Sequence, residues 1–144
     1  MGSTMVNYWL CITDEDNWSV IKDKLVWGVS DRYKAVINQV DIGDMIAFYV
    51  KPKRICGILV AASKPYTSTE KIFKSGGLSG RETFPHRIRL QPLIIPEKCI
   101  NFEPLIQKLK FIKNKQRWTG HIRRAMIKIP EEDFKTIKEA IAKI

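Results

Sequence analysis

Apolar residues fall into three patterns along this chain. Unbroken runs of strand length stand at YWLCIT (8–13), MIAFYV (45–50) and ICGILVAAS (55–63). A run without polar alternation reads as a strand covered on both faces. HRIRLQPLII (86–95) instead sets Arg87, Arg89 and Gln91 against Ile88 and Leu90, the pattern of a strand with one wet face, and AMIKI (125–129) alternates into a final strand. Helical spacing links Trp18, Ile21 and Leu25; then Leu105, Leu109 and Ile112; then Phe134, Ile137, Ile141 and Ile144.

Punctuation between the runs supplies the remaining elements. Thr13 or Asp14 offers an N-cap for the first helix, with acids in its first turn, and VWGV (26–29) ends that helix. Ser30 is placed to cap a second short helix, DRYKAVINQV, held by Tyr33 or Ala35 together with Val36, Ile37 and Val40. DIGD (41–44) is a turn in which Gly43 takes positive φ and Asp41 bonds the backbone beyond it. KPKR (51–54) joins two buried strands as a hairpin, and Gly57 marks a bulge. Pro104 and Pro130 sit at the starts of the last two helices. Strands and helices mix without βαβ alternation, so the fold class is α+β, a barrel-like curved sheet with peripheral helices.

Residues 64–86 break these patterns with Pro65, Gly76, Gly77, Gly80 and Pro85, and three aromatics, Tyr66, Phe73 and Phe84, without periodicity. Loops beyond about 15 residues in a compact domain are usually functional. The 144 residues fit one domain over 1–144, with MGST (1–4) reading as an expression remnant before a natural start at Met5. No apolar run approaches the roughly 18 residues needed to cross a bilayer, and no secretory leader is recognisable, so a cytoplasmic protein is expected. Cys11, Cys56 and Cys99 are odd in number and set in apolar segments, which favours buried thiols over a disulfide framework. With only His86 and His121 to add, neither a metal nor another cofactor is expected.

Charge changes the picture. The net charge is +10, and residues 51–128 hold 18 basic against 4 acidic side chains. Lys108 to Lys128 contains eight basic residues and no acid. A polyanion suits such a surface, because each phosphate neutralised releases counterions. Lys113, Lys115, Arg117, Arg123 and Arg124, with Arg87 and Arg89 of the alternating strand, are the candidate backbone contacts. Trp118 lies among them as a candidate stacking residue, since ring and charge together serve single-stranded or flipped-base recognition. Enzyme signatures are missing: there is no GxSxG, P-loop or GxGxxG, and SGGLSG lacks both a preceding strand and a following Lys. A non-enzymatic role follows.

In order, YWLCIT and the following NW, VWGV, the short basic helix, DIGDMIAFYV, GILVAASKPY and FIKNKQRWTGHIRRAMIKIPEEDF resemble the EVE domain of the PUA-like superfamily, and in particular its archaeal uncharacterised members. The similarity runs from Tyr8 to the last helix. It implies a PUA-like pseudobarrel and kinship with YTH domains, which hold a modified base in an aromatic cage. By that resemblance Trp27 of VWGV matches one cage wall, and Thr13 and Asp14 fall where YTH readers contact the base edge. Tyr49 on the neighbouring strand joins the expected pocket. YTH readers supply a second wall as a tryptophan in the long loop, whereas this loop offers Tyr66, Phe73 and Phe84, so the base is not specified. The expected function is a nucleic-acid-binding reader of RNA or of a modified base. The alternatives are a small-molecule or nucleotide-binding regulator and an accessory module of an RNA-modification or ribosome-associated complex.

Overall fold

A computed structural model describes residues 6–74 and 82–143; MGST and Met5, the SGGLSG segment and Ile144 lie outside the described residues. Within them, strands β1 (Tyr8–Thr13), β2 (Val26–Val29), β3 (Met45–Val50), β4 (Arg54–Ala61), β5 (Tyr66–Thr67), β6 (His86–Ile94), β7 (Ile100–Asn101) and β8 (Met126–Ile129) form one strongly curled sheet. Its order is β2-β6-β4-β3-β1-β8, with β5 added to β6 and β7 to β4. Helices α1 (Glu15–Lys24), α2 (Lys34–Ile37), α3 (Glu103–Ile106) and α4 (Glu131–Ala142) lie around it. The α+β pseudobarrel expected from the sequence is the architecture observed.

The unbroken apolar runs are explained by two cores, one on each face of the central strands. Trp9 and Cys11 of β1, with Ile46, Phe48 and Val50 of β3, pack with Trp18 and Ile21 of α1, Trp27 of β2 and Ile88 of β6. Leu10, Ile12, Ala47 and Tyr49 point the other way, against Phe102, Leu105 and Ile106 and the α4 residues Phe134, Ile137 and Ile141. Successive strand residues face opposite sides, so Tyr49 is committed to the core opposite Trp27. Tyr49 therefore does not join the expected pocket.

Four further expectations are corrected. VWGV does not end α1; it is β2, antiparallel to β6 from Val26↔Arg89 to Val29↔His86, and α1 closes one residue earlier, at Leu25 with φ 54°. The second helix splits into a 3-10 turn at Asp31–Tyr33 and the single turn of α2, with Tyr33 half-buried and Ala35 exposed. The helix expected after Pro96 shortens to α3, although Leu105, Leu109 and Ile112 are all buried as the spacing required. Finally, Cys56 and Cys99 are joined in a disulfide, leaving Cys11 as the free buried thiol. Phe48 faces Gly57 while Tyr49 faces Ile55, so Cys56 is the extra residue of the bulge expected near Gly57. That bulge brings together cysteines 43 residues apart. Gly57 itself admits no side chain, since a Cβ there would lie 2.7 Å from Trp18 Cη2.

β1 and β3 pair in parallel, Tyr8↔Met45 through Thr13↔Val50, and every other strand pair among the described residues is antiparallel. The parallel register starts at the DIGD turn, where Gly43 has φ +96° as its sequence required. Asp44 is fully buried; its Oδ1 accepts from Asn7 N at 2.9 Å, and its Oδ2 from Trp9 Nε1 at 3.0 Å and Asp41 N at 2.9 Å. Asp44→Ala strands those donors and is expected to lower unfolding free energy by about 3 kcal/mol, read from urea denaturation. Reducing Cys56–Cys99 releases a loop whose closure entropy corresponds to about 4 kcal/mol, so dithiothreitol should lower the urea midpoint of the wild type and leave that of Cys99→Ser unchanged.

Candidate functional site

Because β1 and β3 run parallel, their carboxyl ends lie together, and Lys51 N donates to Thr13 O at 2.9 Å as the chain leaves β3. There the protein forms a cleft of about 160 Å³ lined by Ile12, Thr13 and Asp14 at the β1–α1 junction, Asn17 of α1, Trp27 and Gly28 of β2, Lys51, Phe73 and Phe84 of the long loop, and Ala125 before β8. Six separate segments converge on it.

Trp27 is both wall and core. It is 4% exposed and meets Phe48 edge to face at 5.5 Å, which holds the ring rigid, while its indole N–H is buried without an acceptor among the described residues. Gly28 lets the long loop close on β2, because a Cβ there would sit 2.7 Å from Phe73 Cε2 and 2.8 Å from the Phe84 carbonyl. Asn17 secures the same loop as a strand would: Lys74 N donates to its Oδ1 at 2.8 Å, and its Nδ2 donates to Lys74 O at 3.3 Å. Phe73 and Phe84 meet edge to face at 6.0 Å. Asp14 caps α1, its Oδ1 accepting from Asn17 N at 2.8 Å, yet the residue is exposed and its carboxylate borders the cleft.

Arg87 holds the loop from behind. It is 1% exposed, with Nε donating to Phe84 O at 3.0 Å and Nη2 to Thr83 O at 3.0 Å and Glu70 O at 2.5 Å, and its guanidinium stacks 5.4 Å from the Phe73 ring. Burial lowers its pKa, and Tyr66 and Glu70 oppose that shift. Arg87 is therefore a positioning residue and not the phosphate contact expected from its alternating strand. The long loop folds back over that face of β6, and three carbonyls replace water around the cation.

Trp27, Thr13, Asp14 and Phe73 do come together as expected. Tyr66 does not: on β5, opposite Arg87, it lies under the Arg89 guanidinium at 5.5 Å, in a separate depression near Asp23 and Glu70. Trp118 is half-buried and packs 5.6 Å from Phe102, so it braces the second core and is not free to stack. Lys115 is occupied as well, its Nζ donating to Ile106 O at 3.0 Å and Leu109 O at 2.5 Å, which caps the turns after α3. Lys113, Arg117, Arg123 and Arg124 are exposed, and their side chains have no ion-pair partner among the described residues. Phe84, one of the aromatics the long loop offered, joins them, and Ile12, Asn17, Gly28, Lys51 and Ala125 complete the cleft without having been singled out as site residues; the parallel register is what carries Lys51 to Thr13.

Residues 7–140 match the EVE domain family. The chain belongs to that family. This EVE domain is 44% identical to a UPF0310 protein of Pyrococcus abyssi over 94% of its own length and 100% of the relative, and 42% identical to one of Pyrococcus horikoshii over 94% and 99%. Its fold is similar to that of a YTH domain solved in complex with m6A, with a TM-score of 0.71 at 12% identity over 94% of this chain and 86% of that one. The YTH domain of a Zygosaccharomyces rouxii protein in complex with N6-methyladenosine RNA gives a TM-score of 0.61 at 15% identity, covering 99% and 93%. The YTH kinship implied by the sequence thus holds at the level of fold.

Arg87→Met keeps an apolar stem on Phe73 and removes the three carbonyl contacts. It is expected to destabilise the EVE domain by about 2 kcal/mol and to speed limited proteolysis between Glu70 and Phe84, both measured against wild type.

Proposed function

We propose that this EVE domain is a non-enzymatic reader that takes one unstacked base of a single-stranded RNA, in modified form, into the Trp27 cleft. The supporting observation is an aromatic-lined cleft with cations beside it: Trp27, Phe73 and Phe84 line the cleft together with Lys51, Arg123 shares the neighbouring depression with Lys51, Arg124 precedes the cleft residue Ala125, and Arg117 is exposed on the same basic segment. Base stacking on such rings is worth about 1–3 kcal/mol and tolerates different bases. Polar groups at the cleft add discrimination. The Asp14 carboxylate accepts from an exocyclic amine. RNA is favoured because two YTH domains of the same fold were solved with m6A or with N6-methyladenosine RNA. Binding is favoured over catalysis because, among the described residues, the cleft lining holds none of the histidine, cysteine or serine from which the commonest nucleophile–base pairs are built.

A free nucleoside is the competing ligand, since a cleft of about 160 Å³ matches a small flat molecule. Ligand binding indifferent to salt would favour it. The test is a fluorescence titration with short RNAs and DNAs, with and without methylated adenine or cytosine, at two salt concentrations. Trp27→Ala is expected to weaken binding about 10- to 100-fold with the salt slope unchanged, whereas Arg117→Ala and Arg124→Ala each flatten the slope by about one unit. Asp14→Ser retains a helix cap while removing the carboxylate, and is expected to erase preference among bases at a stability cost of a few tenths of a kcal/mol. Equal affinities and slopes in wild type and all four variants would overturn the reading.

A further inference from the structure

Next to the Trp27 cleft, a second depression of about 540 Å³ opens between the β3–β4 turn and the 3-10 turn Trp118–Ile122. Among the described residues it is lined by Tyr49, Lys51, Pro52, Thr119, Ile122 and Arg123, an apolar floor carrying two cations and no carboxylate. The Tyr49 hydroxyl donates to the Pro52 carbonyl, and burial pushes the phenol up to about 12, so this group is neutral and already engaged. What it leaves to a ligand is carbon surface.

Two chain crossings join this depression to the cleft. Lys51 lines both, and Arg123 stands two residues before Ala125, which lines the cleft. The start of α1 also borders the cleft. Asp14 caps α1 and Glu15 and Asp16 open it; Glu15 meets, at 3.4 Å, Arg54, whose guanidinium also donates to Lys51 O at 3.2 Å, Asp16 meets Lys74 at 3.2 Å, and Asn17 ties α1 to the long loop through Lys74. Glu15 and Asp16 are thus matched by cations, while Lys51 and Arg123 form no ion pair among the described residues and draw a polyanion passing the cleft.

We propose that this depression is the subsite for the nucleotide flanking the inserted base on one side, with Lys51 and Arg123 bracketing the phosphate that connects the two. The inference rests on the reader function proposed above. The flanking base lies on Pro52, Thr119 and the edge of Ile122, surfaces with no directional hydrogen-bond set, so the subsite accepts any base and contributes affinity and polarity to binding. Among the described residues the subsite lies on one flank of the cleft, so extending a ligand by one nucleotide strengthens binding in one chain direction and not in the other.

The test compares the full chain binding the 5′-monophosphates of N6-methyladenosine and 5-methylcytidine with its binding of RNA dinucleotides that add uridine on the 5′ or the 3′ side of the same base. One direction is expected to bind about tenfold tighter than the mononucleotide, and the other within about twofold of it. Thr119→Glu, an exposed substitution that places a carboxylate on the floor, is expected to bring the dinucleotide-to-mononucleotide affinity ratio close to one, while Trp27→Ala weakens both ligands and leaves their ratio in place. Mononucleotide binding that depends on Trp27, with equal gains in both directions or a gain untouched by Thr119→Glu, overturns the subsite and leaves the reader function standing. Hexaglutamate displacing the favoured dinucleotide as well as a uridine hexanucleotide does would also overturn it, assigning the depression to acidic peptide. Absence of binding by every mononucleotide and dinucleotide overturns both proposals.

Discussion

The Asp44 carboxylate, buried where the DIGD turn enters β3, accepts N–H donors from the residue before β1, from the Trp9 indole on β1 and from its own turn. It fixes how far β3 is shifted along β1. A slip of one residue would turn Ile46, Phe48 and Val50 away from Trp18 and Trp27 and towards α4, exchanging two cores built for different shapes. The same register brings the end of β1 beside the end of β3, so that Thr13, Asp14 and Lys51 meet. The cleft is therefore a consequence of strand pairing set at the far end of the strands, about six residues away.

Rigidity at the cleft comes from making its walls part of the core. Trp27 leans on Phe48, Phe73 rests against the bare backbone of Gly28, and Arg87 ties the Phe84 segment through carbonyls on the far side of the same loop. A stacking surface held this way loses little side-chain entropy when it takes up a flat ligand. Gly28 is what leaves room for this loop wall, since a Cβ there would meet Phe73 Cε2 at 2.7 Å and Phe84 O at 2.8 Å.

The basic residues divide by environment. Arg87 is buried among carbonyls and Lys115 bonds the Ile106 and Leu109 carbonyls, so two of the expected phosphate contacts stabilise the protein itself. Lys53, Lys74, Lys110 and Lys135 sit in exposed ion pairs, interactions usually worth under about 1 kcal/mol. Arg117, Arg123 and Arg124 keep their charges unpaired among the described residues. Charge counting alone treats these groups as equivalent, whereas burial and carbonyl geometry separate them.

Local pattern was enough to mark β1, β3, β4, β6, β8 and α4, the Asp14 cap and the Gly43 turn, since each depends on periodicity or on a backbone requirement carried within a few residues. The order of short motifs also pointed to the EVE domain and to Trp27 with Thr13 and Asp14. What the sequence could not determine depends on partners distant in the chain. VWGV became a strand because β6, some sixty residues later, offered its edge; Cys56 found Cys99 through a bulge; Arg87 was buried by a loop folding back; and Tyr49 faced away because the pleat assigned it to the α4 side. Sequence by itself determined which segments had to be buried and which backbone turns were permitted, because those are local costs of solvation and torsion. Tertiary structure alone decided which buried faces met and so which aromatic and basic side chains remained open to a ligand, because that choice is made by register between strands far apart in the chain.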